Sequence, residues 1–155
     1  MKISTIDAAT AKRLAEAVDS LLENALPPRT SSATVVVADD DPSILDFVTR
    51  VVTKAGYRVV RADRGDVALN LIRAERPQLV FLDVLMPGTD GLEVCKAVRA
   101  DVNLSHIPVV LLSAMGEDRL TEAAAQSGAN DYLTKPMRLE AMRLIMAKYL
   151  GETKD

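Results

Sequence analysis

The run Leu79-Val80-Phe81-Leu82 carries no polar alternation, as a strand covered on both faces requires, and it sits in a chain where strand and helix patterns alternate five times. Thr34 to Ala38 is the first strand pattern, Tyr57 to Arg61 the second, Leu79 to Leu82 the third, Val109 to Leu112 the fourth and Asp131 to Thr134 the fifth. Between them lie apolar residues at helical spacing: Ile44, Leu45, Val48, Val51, Val52 and Ala55; then Val67, Ala68, Leu71 and Ile72; then Leu92, Cys95 and Val98. Ala123 to Ala125 mark the next helix and Arg138 to Leu150 the last. Asp41-Pro42 supplies an N-cap and a first helical residue, Gly56 and Gly128 supply stops, and Pro77 closes the second helix. Short connections between five such units predict an α/β fold with a parallel, doubly wound, five-stranded sheet and helices on both faces.

The strand ends differ from one another in a useful way. Asp39-Asp40-Asp41 follows the first run, Asp83 the third, Ser113 the fourth and Lys135 the fifth. Taken singly, each has an ordinary reading: the aspartates cap helices and complement their dipoles, Ser113 caps the helix after the fourth strand, and Lys135 is exposed. Taken together, they place carboxylates, a hydroxyl and an amine along the edge where open α/β sheets bind ligands. The first and third strands are neighbours at the switch point of a doubly wound sheet, so Asp39, Asp40 and Asp83 crowd one pocket. Like charges about 4 Å apart repel by roughly 4 kcal/mol at an effective dielectric near 20, which invites a cation. Hard oxygen ligands with room for water favour Mg²⁺. Lys135 and Ser113 suit a phosphoryl group, and Asp83 is the candidate nucleophile, forming an acyl phosphate.

The stretches VVVADDDPSIL, LVFLDVLMPGTDGLEV, VVLLSA and DYLTKP, in this order and spacing, resemble the response-regulator receiver family of two-component signalling over residues 33 to 150. The resemblance implies a flavodoxin-like sheet of strand order 2-1-3-4-5. It implies that Asp83 is the phosphoacceptor, taking phosphate from a histidine kinase or histidine phosphotransfer protein. Asp40 and Asp83 would then ligate Mg²⁺ directly, Asp39 through water, and the main-chain carbonyl of Leu85 would complete the protein ligands. Ser113 and Lys135 would bind phosphoryl oxygens, the Lys135-Pro136 peptide would be cis, and Tyr132 would be the switch aromatic that turns inward as Ser113 moves. Ala38 stands where the family often has a larger aliphatic residue, which bears on packing alone. Leu85 and Met115, two places after Asp83 and Ser113, are apolar where the family often orients or excludes the hydrolytic water, so slow hydrolysis is expected. The expected output surface is the face of the fourth helix, last strand and last helix. The protein is then a signalling protein that takes part in its own phosphorylation and dephosphorylation, working through a downstream protein target.

Residues 1–32 read as an amphipathic helix, Ser4 to Leu26, with Leu14, Val18, Leu21, Leu22 and Ala25 on one stripe, and a Pro/Ser linker beginning at Pro27-Pro28. That stripe must dock on the same chain or on a second copy, so a homodimer through this helix or the output face is a second expectation. Residues 151–155 form a short tail, and no attached output domain is expected after them. Net charge is −3 and no stretch clusters Lys and Arg, which argues against direct nucleic-acid binding. Apolar runs of only a few residues cannot span a bilayer, and with no signal core at the N-terminus the expected location is cytoplasmic. The single Cys95 excludes an internal disulfide and reads as a small buried hydrophobe, and His106, the only histidine, reads as a turn residue. Two other enzyme or cofactor classes fit less well. An aspartate-nucleophile phosphatase needs a second acid at the position of Leu85, and a flavin module needs a hydroxyl-rich first loop where Asp-Asp-Asp-Pro stands. A scaffold with a vestigial acidic pocket remains the third alternative.

Overall fold

The computed structural model describes residues 33–151, together with residues 9–10 and 12–13. Five parallel strands, β1 (Thr34–Ala38), β2 (Arg58–Ala62), β3 (Leu79–Asp83), β4 (Val109–Ser113) and β5 (Asp131–Thr134), stand in the order β2-β1-β3-β4-β5. They alternate with α1 (Pro42–Lys54), α2 (Gly65–Glu75), α3 (Gly91–Ala100), α4 (Glu117–Ser127) and α5 (Leu139–Leu150). Every residue of β1, β3 and β4 is buried, whereas β2 and β5 at the edges are partly open, which is why only the central strands read as unbroken apolar runs.

Because successive side chains point to opposite faces of a strand, one sheet feeds two cores. Val36, Val80, Leu82 and Leu111 pack with Ile72 of α2, Val94, Cys95 and Val98 of α3 and Leu120 of α4. Val35, Phe81, Val110 and Leu112 pack with Leu45, Val48 and Val52 of α1 and Met142, Ile145 and Met146 of α5. Cys95 is a buried free thiol, as its helical spacing suggested. Asp41 caps α1, its Oδ1 accepting the Ser43 N–H at 2.9 Å with Pro42 in the first helical position. Gly128 ends α4 at φ 85°, a backbone shape that favours glycine.

Three details of the sequence reading shift. β2 starts one residue later than expected, at Arg58, which pairs with Thr34, while Tyr57 still belongs to the turn closing α1 through its N–H to the Val52 carbonyl at 3.3 Å. Ala55 lies beyond the end of α1 and is exposed. Ser113 does not cap α4: Gly116 holds that position without a side-chain bond. The N-terminal stripe, the linker and the tail after Gly151 fall outside the described residues. Among the described residues, no helix is long and apolar enough to cross a membrane.

One side chain closes the end of the sheet opposite the acidic edge. Arg99 Nε donates to the Gly128 carbonyl at 2.7 Å, and Nη1 donates to the carbonyls of Ile107 at 2.8 Å and Ser105 at 3.2 Å. Nη2 donates to Asn130 Oδ1, which also accepts the Val109 N–H at 2.8 Å. Arg99 thereby ties α3 to the end of α4 and to the segments that lead into β4 and β5. Truncation leaves several carbonyls without a donor, so Arg99→Ala is expected to destabilise the fold by about 2–3 kcal/mol in urea unfolding. Arg99→Lys keeps the charge but not the planar fork and should recover less than half of the loss.

Candidate functional site

The sheet register builds the site. Ala38 pairs with Leu82, so the next residues, Asp39 and Asp83, stand side by side at the carboxyl ends of β1 and β3. On the other flank Asp83 pairs with Leu112 and Ser113 with Thr134, and the Lys135 N–H bonds the Ser113 carbonyl at 2.9 Å. Lys135, followed by a cis peptide to Pro136, extends its amine back across the strand ends. Its Nζ lies 2.8 Å from Asp39 Oδ2 and 3.3 Å from Asp83 Oδ1. Carboxylate oxygens of Asp39, Asp40 and Asp83 all fall within 4.8 Å of one another, with Asp39 and Asp83 buried and Asp40 exposed.

Enclosure sets the electrostatics. Burial, then repulsion from Asp39, pushes the Asp83 carboxyl up to about 7, against the pull of Lys135. Burial works to lower the Lys135 ammonium, but its contacts with Asp39 and Asp83 outweigh that and hold it above its ordinary value. Asp39 uses Oδ1 to accept the Asp41 N–H at 2.9 Å. Its Oδ2 is fully enclosed and faces the Lys135 ammonium 2.8 Å away. Three hard oxygen donors within 4.8 Å of one another, with the Asp40 carboxylate open to water, fit a small divalent cation such as Mg²⁺. Asp40 and Asp83 would hold it directly.

The loop after Asp83 is shaped by a close approach. Gly91 N–H bonds the Val84 carbonyl at 2.8 Å, and a Cβ on Gly91 would lie 2.1 Å from the Asp83 carbonyl oxygen, so no other residue fits there. Leu85, in this loop, turns its side chain to solvent and is 70% exposed. Ser113 is buried, and its Oγ accepts the Met115 N–H at 3.1 Å, which uses a lone pair and not the hydroxyl proton. Tyr132 sits on β5 opposite Leu111, its hydroxyl held on the α4 side by Thr121 at 2.8 Å and Glu117 at 3.4 Å. His106 is exposed in the turn before β4. The structure thus gathers Asp39, Asp40, Asp83 and Lys135 and places Ser113 at the adjoining strand end. Sequence reasoning missed Gly91, Thr121 and Glu117. A glycine eight residues after Asp83 was a visible signal for the first, whereas the other two meet Tyr132 only through the fold.

The sequence profile described as the response regulator receiver domain matches residues 35–147. AfsQ1 of Streptomyces coelicolor, a transcriptional regulatory protein, is 36% identical over 104 residues, 67% of this chain and 45% of AfsQ1. The chain spans about half the length of the curated relatives it matches. Among solved structures, the Vibrio cholerae chemotaxis protein CheY4 superposes with a TM-score of 0.70 at 29% identity, covering 76% of this chain and 98% of CheY4. The receiver domain of a Pseudomonas aeruginosa sensor histidine kinase, which has a magnesium ion coordinated in its active-site cleft, superposes with a TM-score of 0.72 at 25% identity, covering 78% and 99%. Strand order, the acid cluster at the switch point and the matched profile agree, and the chain belongs to the response regulator receiver domain family of two-component signalling.

Proposed function

We propose that Asp83 accepts a phosphoryl group, in the presence of Mg²⁺, from a phosphohistidine of a sensor kinase or phosphotransfer protein in the cytoplasm, and that this switches a protein-binding surface. The observation that carries the reading is a buried carboxyl, Asp83, with an ammonium 3.3 Å away and two further carboxylates within 4.8 Å. An Asp83 carboxylate oxygen attacks phosphorus, the O–P bond forms, and the bond from phosphorus to the histidine nitrogen breaks, its electron pair returning to the imidazole. Asp40 and Asp83, with Asp39 through water and the Leu85 carbonyl, would hold the cation, which when bound would supply charge neutralisation on the phosphoryl oxygens. Lys135 supplies a second positive charge at the same place, and the Ser113 hydroxyl donates its unused proton to a phosphoryl oxygen. No separate base is needed, because a carboxylate is already a competent nucleophile and positioning does the rest.

The signal leaves through the face of α4, β5 and α5, where Tyr132 lies, toward a target protein or a second copy of the chain. Intact-mass measurement after incubation with acetyl phosphate and Mg²⁺ tests the reading: a gain of one phosphoryl group is expected, and no gain would leave the scaffold alternative standing. Phosphate lifetime follows from the loop beside Asp83. The exposed Leu85 offers an attacking water no hydrogen bond. Leu85→Asn should therefore speed acyl-phosphate decay about three- to tenfold, the worth of one added hydrogen bond, while Leu85→Val leaves the rate unchanged.

A further inference from the structure

The loop that follows the candidate nucleophile is held by a helix that takes no part in the acid cluster. Val84 and Met86 are buried in the core beneath α2, α3 and α4, and Leu85 stands between them. After Met86 the chain turns through Pro87 and Gly88, with Gly88 at φ 78°, and runs against the start of α2. Arg64, at the cap of α2, makes no side-chain bond to the first N–H groups of the helix. The Pro87 carbonyl takes that place and accepts the Gly65 N–H at 3.2 Å. The Thr89 carbonyl sits so close to Gly65 that a Cβ there would lie 1.5 Å from its oxygen, so only glycine allows the approach.

A pair of side chains closes this contact from outside. Arg64 Nε donates to Asp66 Oδ1 at 3.0 Å, and a Cβ on Gly88 would lie 2.7 Å from Asp66 Oδ1 and 2.9 Å from Arg64 Nη2. The pair therefore lies directly over the Gly88 backbone. With the Gly91 N–H fastened to the Val84 carbonyl at 2.8 Å, the loop is fixed at its base and along its outer rim. Such fixing matters for a cation ligand, because a loop ordered beforehand loses little conformational freedom when the ion binds. We propose that Arg64 and Asp66 are positioning residues for the cation site, holding the Pro87–Gly88 turn, and through it the Leu85 carbonyl, in the arrangement that completes the ligand set. Neither is itself a ligand. The inference rests on the reading of Asp40, Asp83 and Leu85 as Mg²⁺ ligands and adds a brace supplied by the start of α2.

Titration of Mg²⁺ into ¹⁵N-labelled protein at about 0.15 M salt, followed on the amide signals of the loop, measures the affinity. Arg64→Ala and Asp66→Ala should each weaken binding about two- to fivefold, the range open to one exposed pair. The sign separates bracing from charge. A field acting on the ion across the surface would move affinity in opposite directions in the two variants, since one loses a positive and the other a negative charge. Coupling is reciprocal, so saturating Mg²⁺ should also slow hydrogen exchange of the wild-type Gly65 N–H about twofold or more, although Gly65 is no ligand. Opposite signs, an affinity unchanged in both variants whatever their urea midpoints, or a Gly65 exchange rate that Mg²⁺ leaves unaltered overturns the brace and leaves the cation site standing. A wild type whose loop signals do not respond to millimolar Mg²⁺ overturns the ligand reading and the brace with it.

Discussion

In metal-free buffer at pH 8, the Asp83→Asn protein is expected to be more stable than wild type by about 1–3 kcal/mol, while taking up no phosphoryl group from acetyl phosphate. Burial beside Asp39 raises the Asp83 carboxyl to about 7, from 3.8 when unfolded. Across that window the folded state binds more protons than the unfolded one, so stability falls as pH rises from about 4 to 7 and stays low above it. The difference of about three pKa units corresponds to roughly 4 kcal/mol, reduced here because the exposed Asp40 side of the pocket admits water. Asparagine has nearly the same shape and no charge, so its advantage should grow between pH 4 and 7 and then level off. Urea midpoints across pH with a chelator present check this. An advantage that is constant with pH would point to packing and not to the carboxylate charge. The residue on which the proposed chemistry depends is thus one that the metal-free fold tolerates at a cost.

That cost could be anticipated from the sequence only in outline. The central strands were legible because burial on both faces removes all polar residues from Val35 to Ala38, Leu79 to Leu82 and Val109 to Leu112. The edge strand β2 was legible as a strand but not in its limits, since pairing of Arg58 with Thr34, and not composition, fixes where it begins. Among the three consecutive aspartates, order along the chain says nothing of depth; the structure makes Asp39 buried, Asp40 exposed and Asp41 a cap. Asp41 reads as a cap from the sequence alone because proline follows it, a local signal. Arg99 gave no warning of its role, because its acceptors are carbonyls and an amide 6 to 31 residues away that only the completed fold assembles. Candidate residues whose types match a chemistry were visible in advance, and those that act by tertiary contact were not.

Lys135 is where the two kinds of information meet, and its removal should have the larger structural effect. Lys135→Met keeps an unbranched side chain of similar length but leaves Asp39 and Asp83 facing each other without their cation, 2.8 and 3.3 Å from where it stood. Breaking a largely buried pair in this way is expected to cost about 3 kcal/mol in metal-free buffer at pH 8. The ammonium is held above its ordinary value in the folded protein, so its contribution is fully present at pH 8 and would fade only as pH rises through that raised value. Below pH 7 Asp83 gains a proton and one of the two ion pairs weakens, so the loss on Lys135→Met should be smaller at pH 5 than at pH 8. Millimolar Mg²⁺ supplies positive charge to the same carboxylates and should restore most of the stability. Phosphoryl uptake should not be restored if Lys135, as proposed, also neutralises the transferring group, since losing one such charge slows transfer about a hundredfold or more. Stability measured by urea unfolding with chelator or Mg²⁺, alongside the rate of mass gain with acetyl phosphate, separates these roles. Equal destabilisation with and without Mg²⁺ would show that the side chain acts through the packing of its stem, and that the carboxylates do not depend on its charge.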